Sequence, residues 1–411
     1  MNTSSWSAPP NPIYLDHLAA TPTLEVSIEA MTPHWRTECG NPASHHVFGR
    51  RAAAAIDRAR HQLLSLVGSS GGPSLSSIIW TSGATESTHL AVLGSLKRTD
   101  RARPHIISST IEHKATLGAL ELAKGLGCRV TLVRPDRHGR ISSEEVLKAV
   151  EPDTFLVSLI HAHNELGTIL DPALLGPALA KQGVLFHLDA AQSAGKVVLE
   201  AERWAIDLLS LSGHKFGGPK GAGALFINPR ISRLISPVSL GGGQEFGLRP
   251  GTVNVPGVVG MGAAAEWCQK IGLKRAEPIR RLRNLLNERV REVAATTPWR
   301  GRVHINGPPC DAPDRLPNHL SLTIEGLDPI QVQLALQDVA YTSASACSGS
   351  SASHVMPEIW RDRCLAEPSV TLRFGLSWDT TEGEVEWVAK RLADLLRCSQ
   401  PVDFNEKFIN P

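Results

Sequence analysis

The chain has 411 residues, of which 42 % are hydrophobic and 20 % charged, with a formal net charge of +2. That length predicts two domains, and the near-balance of charge excludes a protein held on nucleic acid or an anionic membrane by charge alone. Met1 to Pro12 is polar and proline-rich without the apolar stretch of a secretory leader, and no apolar run approaches the ~20 residues of a membrane span, so a cytoplasmic protein is expected. In chain order, short apolar runs predict strands at Ile78–Thr81, His105–Ser108, Arg129–Val133, Phe155–Ile160, Val184–Leu188, Leu208–Leu211 and Ala224–Ile227. Helical patterns lie among them at Ala52–Val67, Glu86–Lys97, Ala115–Leu126, Ser142–Val150 and Pro172–Gln182. This alternation predicts an α/β domain with a mostly parallel seven-stranded sheet flanked by helices.

Gly241-Gly242-Gly243 punctuates the chain before a long helical region that starts near Val255. Its early part, Val258–Cys268, is small and apolar and should pack inside. Its later part, Lys274–Val293, is basic and amphipathic and reads as a solvated face. Strand patterns at Leu320–Ile324 and Val370–Leu376 and a closing helix at Glu384–Leu396 predict a smaller α+β domain. The expected division is an arm over 1–13, a large domain over 14–255 and a small domain over 256–411. Seven scattered cysteines with no Cys-x-x-Cys argue against a disulfide scaffold or zinc ribbon. The His161/His163 pair lacks a third ligand at zinc spacing, and no metal is expected.

In an open parallel sheet, ligands sit outside the carboxyl ends of the strands. Here the unusual polar residues follow the strands repeatedly: Ser82-Gly83-Ala84-Thr85-Glu86 after the first, then Glu112 and His113, then His161, Asn164 and Glu165, then Asp189 and Gln192, then Ser212, His214 and Lys215. Small residues opening a helix suit an anion, because backbone N–H groups approach it and the helix dipole favours it. A lysine, a carboxylate and a phosphate site together are what pyridoxal 5'-phosphate (PLP) chemistry asks of a protein. Cys347 lies in Thr342–Ser353, a Ser/Ala/Gly-rich run expected to be mobile, where a thiol could travel.

At this point the chain resembles the cysteine desulfurases of the NifS/IscS type, within the class V aminotransferase family of fold-type I PLP enzymes. The resemblance runs from Tyr14 to about Glu386. It is carried by Thr81-Ser82-Gly83-Ala84-Thr85-Glu86, Ile111-Glu112-His113, Asn164-Glu165-Leu166-Gly167-Thr168, His187-Leu188-Asp189-Ala190-Ala191-Gln192, Leu211-Ser212-Gly213-His214-Lys215-Phe216, Gly242-Gly243-Gln244-Glu245, Leu248-Arg249-Pro250-Gly251-Thr252, Ser345-Ala346-Cys347-Ser348 and Leu372-Arg373-Phe374. It implies that Lys215 forms the Schiff base with PLP, Asp189 pairs with the pyridine nitrogen, and His113 stacks on the ring and relays protons. Gln192 and Asn164 would touch the ring hydroxyl region. Thr85, Ser212 and His214, with the backbone at Ala84, would hold the phosphate. Thr252 would reach the phosphate of a neighbouring subunit, which implies a homodimer.

Arg373 would bind the carboxylate of L-cysteine, with Asn41 nearby. Cys347 would take the substrate sulfur as a persulfide and pass it to an acceptor protein. Selenocysteine lyase, cysteine or cystine lyase, and a PLP-binding scaffold without turnover remain open beside desulfurase. The chain departs from the family pattern at His17-Leu18, at His89 and His163 where asparagines are usual, and at Ser377-Trp378 in place of Gly-Arg. The stretch after Cys347 is about two residues short. Since a chain spans at most ~3.3–3.6 Å per residue, that limits the reach of the thiol.

Overall fold

The computed structural model describes residues 12–70, 77–345, 353–362, 365 and 368–402. Cys347 and most of its surrounding run lie outside the described residues. The chain folds as two compact units, one comprising Ala20–Asn164 and Thr168–Arg275, the other Met1–Ala19, Glu165–Gly167 and Ala276–Pro411. The division after Arg275 falls later than the expected boundary at 255, and the first strand belongs with the second unit.

The chain opens with β1 (Ile13–Tyr14) and then enters the larger unit through α1 (Glu25–Met31) and α2 (Val47–Leu66). It continues as β2 (Ile78–Thr81), α3 (Ala84–Leu96), β3 (His105–Ser109), α4 (Lys114–Gly125), β4 (Arg129–Val133), α5 (Ser143–Lys148) and β5 (Thr154–Ile160). It closes with α6 (Leu175–Lys181), β6 (Leu185–Asp189), β7 (Leu208–Ser212), β8 (Gly223–Ile227) and α7 (Val255–Lys270). The seven strands form one sheet in the order β2-β8-β7-β6-β5-β3-β4. The pairings from β7 through β6, β5 and β3 to β4 are parallel, and β8 runs antiparallel between β7 and β2.

Successive strand residues serve opposite faces, as a two-residue period requires. Ile78, Trp80, Leu209 and Phe226 join the core under α2 and α7. Ile79, Leu208 and Leu225 join the core under α3 and α4. The small residues of α7 allow close helix packing. A Cβ on Gly262 would stand 2.7 Å from the Ala59 backbone of α2, which no side chain tolerates.

The smaller unit contains α8 (Ala276–Ala295), β9 (Val303–Ile305), β10 (His319–Glu325), α9 (Pro329–Ala335), β11 (Val339–Ala340), β12 (Thr342–Ser345), α10 (Val355–Ile359), β13 (Ser369–Gly375) and α11 (Glu382–Cys398). Four strands pair antiparallel in the order β12-β13-β10-β9, and β1 pairs parallel with β11. A capping box starts α11: the Thr381 hydroxyl accepts the Glu384 N–H while Glu384 accepts the Thr381 N–H at 2.7 Å. The stretch expected as a solvated face is not wholly solvated, because Arg283 lies on the inward stripe of α8 with Ile279, Leu286 and Val290. Arg283 is fully buried and donates to the carbonyls of Cys310, Leu316 and His319.

Candidate active site

The larger unit gathers its polar residues at the carboxyl ends of β3, β5, β6 and β7. Asp189 ends β6 and is only 4 % exposed, with its Oδ1 accepting the Ala191 N–H at 3.0 Å. Burial pushes its carboxyl up, while that N–H and the charges of His113 and Lys215 pull it down. His113 N-caps α4, its Nδ1 accepting the Ala115 N–H at 3.1 Å. Lys215 lies in the single 3-10 turn, Gly213–Lys215, that leaves β7.

On the same edge, α3 starts at Gly83 with no side-chain cap, so the first N–H groups of this 13-residue helix are not satisfied by a capping side chain. A Cβ on Gly83 would lie 3.9 Å from Ser212 Oγ, and one on Gly223 would come within 2.4 Å of Gly83 Cα. Only glycine at 223 lets β8 pass so close behind this turn. Ser212 Oγ and His214 Nδ1 are 3.0 Å apart. Burial, and then the charges of Lys215, Lys220 and Lys196, push His214 down to about 4, which marks the turn as electropositive. Thr85 stands exposed on the first turn of α3, beside half-buried Ala84. Glu86 ties this turn to a later loop, accepting the Ser82 N–H at 2.6 Å and Arg249 Nε at 2.8 Å.

Gln192 is buried and accepts Lys196 Nζ at 3.0 Å, and Asn164 is half-buried after β5. Asn41 and Thr252 are exposed on loops of the same unit, Asn41 Oδ1 accepting the Ala43 N–H at 3.0 Å. Arg373 belongs to the smaller unit, on β13. Its Nη2 donates to Thr342 Oγ1 at 2.7 Å and lies 3.6 Å from Asp16 Oδ1. Cys347 is outside the described residues.

The residue-by-residue reading missed the layer beneath Asp189. His187, two residues earlier on the same face of β6, is fully buried between two hydroxyls, Ser158 Oγ and Ser210 Oγ, each 2.8 Å from a ring nitrogen. Thr88 of α3 reaches Ser210 at 3.2 Å, which links this layer to the helix that opens at Gly83. Burial pushes His187 down to about 3, so the ring is neutral at ordinary pH. The i, i+2 spacing from Asp189 was the available signal.

Glu112 is buried beside this set. Burial pushes its carboxyl up to about 8 against the Ser109 hydroxyl and a backbone hydrogen bond at Ile160, with the charge of Asp189 adding to the rise. His163 Nε2 donates to the Ile111 carbonyl at 2.7 Å, so a histidine there pins the turn that carries Glu112 and His113. His161 turns instead to Ser193 Oγ at 2.8 Å and to the Trp204 ring. His17 sets its ring edge-on to Tyr14, and Trp378 packs on the core of the smaller unit. Among the described residues, no three His, Cys, Asp or Glu side chains gather as a metal site.

The parallel sheet, with an amine, a buried carboxylate and an uncapped helix N-terminus along its carboxyl edge, is the fold of the fold-type I PLP-dependent enzymes. Residues 13–388 match the family described as Aminotransferase class-V. The chain belongs to that family. It is 39 % identical to cysteine desulfurase IscS of Anaeromyxobacter dehalogenans (strain 2CP-C) over 392 residues, which cover 94 % of this chain and 93 % of that one. Among solved structures, a NifS-like protein shares 32 % identity at a TM-score of 0.82, covering 94 % of this chain and 99 % of its own. SspA in complex with cysteine shares 30 % identity at a TM-score of 0.74, covering 90 % of this chain and all, 100 %, of its own.

Proposed function

We propose that the protein is a PLP-dependent cysteine desulfurase that converts L-cysteine to L-alanine and holds the sulfur on Cys347 for an acceptor protein. The observation that carries the reading is Asp189, a buried carboxylate at a strand end that feels the charge of Lys215, beside an uncapped helix N-terminus flanked by Ser212 and His214. This donor set fits PLP. Lys215 supplies the amine and Asp189 the partner for the ring nitrogen. The N–H groups at Ala84 and Thr85, with Ser212 and His214, suit a phosphate dianion. Thr252 would complete the phosphate site of a second subunit in a homodimer. The reading carries a cytoplasmic location with neither nucleic acid nor membrane as partner, and no described helix is long and apolar enough to cross a membrane.

When bound, PLP supplies an electron sink for the pair left as the substrate Cα proton departs. Asp189, as the carboxylate, would hold a proton on the ring nitrogen. His113, oriented by the Ala115 N–H, would cover the ring face. The Lys215 amine would take the Cα proton. Arg373 would orient the substrate carboxylate through its planar fork, Asn41 would also serve that carboxylate, and Asn164 and Gln192 would serve the ring hydroxyl.

The Cys347 thiolate attacks the substrate sulfur. The substrate C–S bond breaks as the new S–S bond forms, the electron pair stays with carbon, and protonation there gives alanine. Cysteine and a thiol thus become alanine and a persulfide, with no outside oxidant. The test is Cys347→Ala. It is expected to bind PLP and cysteine with the parent's spectral changes yet form no protein persulfide and at most a trace of alanine. Alanine and sulfide at the parental rate would remove Cys347 from the reaction.

A further inference from the structure

Asp16, Thr342 and Arg373 come from three segments of the smaller unit and form one polar chain. Thr342 opens β12 directly opposite Arg373 of β13. The Thr342 hydroxyl donates to Asp16 Oδ1 at 2.8 Å and accepts from Arg373 Nη2 at 2.7 Å. Asp16 is held on both sides by backbone: the Leu15 N–H donates to the Ala340 carbonyl at 2.9 Å, and the His17 N–H donates to the Gly375 carbonyl at 3.2 Å. The Arg373 side chain is 13 % exposed and that of Asp16 21 %, so solvent screens them only in part.

A hydroxyl has one proton. Because the Thr342 proton goes to a fixed carboxylate, its lone pairs must face Arg373. An arginine left to itself samples many rotamers, and ordering it on a ligand costs affinity that prior positioning saves. We propose that Asp16 and Thr342 are positioning residues that fix the plane of the Arg373 guanidinium and thereby set the affinity for the α-carboxylate of the amino-acid substrate. The proposal rests on the reading of Arg373 as the carboxylate-binding residue. The recognised group is a planar α-carboxylate that meets a fork already aligned.

The test compares Thr342→Val, Thr342→Ser, Asp16→Asn and Arg373→Gln in the PLP-loaded enzyme. KM and kcat for cysteine are measured, with the affinity for L-alanine read from the cofactor absorbance. Thr342→Val is expected to raise KM about 10- to 100-fold, the range for losing a hydrogen bond to a charged group, and to weaken alanine by the same factor. Its kcat should fall by no more than about twofold, with the resting spectrum intact. Thr342→Ser restores both values, and Asp16→Asn shifts them in the same direction by a smaller factor. If Arg373→Gln raises KM while Thr342→Val leaves it unchanged, the positioning role is overturned. Failure of serine to rescue overturns it too, because packing alone would then explain valine. If Arg373→Gln itself leaves KM and alanine binding unchanged, the assignment of Arg373 fails instead.

Discussion

Ser109 donates its hydroxyl to Glu112 Oε1 at 2.6 Å, and both side chains are buried. The bond stabilises an ionised Glu112, yet burial outweighs it and lifts the acid to about 8. The folded state therefore keeps a proton that the unfolded chain releases near 4.3. Stability from this group is full below the unfolded value and is lost as pH rises toward 8. Glu112→Gln keeps an acceptor for Ser109 and has no proton to lose. It is expected to gain stability over the parent as pH rises from 5 to 8, by up to about 4 kcal/mol. Denaturant midpoints at both pH values check this, and an equal offset at the two would contradict a protonated Glu112.

His187 and His161 predict the opposite trend in acid. Burial pushes them down to about 3 and about 4. The unfolded chain takes up protons near 6.5, where the folded chain takes none. Stability should fall as pH drops below 6.5, by about 1.4 kcal/mol per pH unit for each histidine. His187→Asn should lower stability at pH 7, because Ser158 and Ser210 lose their shared partner, and should flatten the acid slope by one histidine's share. Parallel slopes for parent and variant between pH 7 and 5 would show that His187 does not titrate in this way.

Arg315 and Arg283 are buried guanidiniums that form no ion pair with a carboxylate among the described residues. Arg315 donates to the carbonyls of Asn306, Pro308 and His319, and burial lowers its pKa to about 10. The guanidinium reaches these carbonyls from two separate nitrogens, Nε to His319 and Nη1 to Asn306 and Pro308, whereas an ammonium places all three of its donors on one atom. Arg315→Lys should therefore destabilise the protein nearly as much as Arg315→Met, each by about 3 kcal/mol or more as carbonyls lose their donors. Thermal melts of the two variants decide this, and a lysine variant as stable as the parent would show that charge, not the fork, is what the loop needs.

The strands of the larger unit were legible because each is a short apolar run closed by polar or small residues. Ile78–Thr81 and Arg129–Val133 fall where the pattern puts them. The convergence of Asp189, His113 and Lys215 was legible for a related reason, since a parallel sheet brings its carboxyl ends to one edge. Contacts set by long-range register were not. Thr342 meets Arg373 only because β12 and β13 pair across 31 positions. Arg283 stands on the inward stripe of α8 with Ile279, Leu286 and Val290, where its charge alone argued for solvent, and the carbonyls that satisfy it, of Cys310, Leu316 and His319, lie 27 to 36 residues away. The place of α7 in the larger unit was also hidden, because small apolar residues mark a packed helix without naming its partner.

The central claim is that the Lys215 amine carries the cofactor opposite Asp189. Reduction of the PLP-loaded protein with borohydride, followed by peptide mass analysis, reads it directly. The account predicts a stable pyridoxyl group on Lys215, with none retained by Lys215→Ala after the same treatment. A pyridoxyl group on another lysine, or no adduct on a protein incubated with excess PLP, would contradict it.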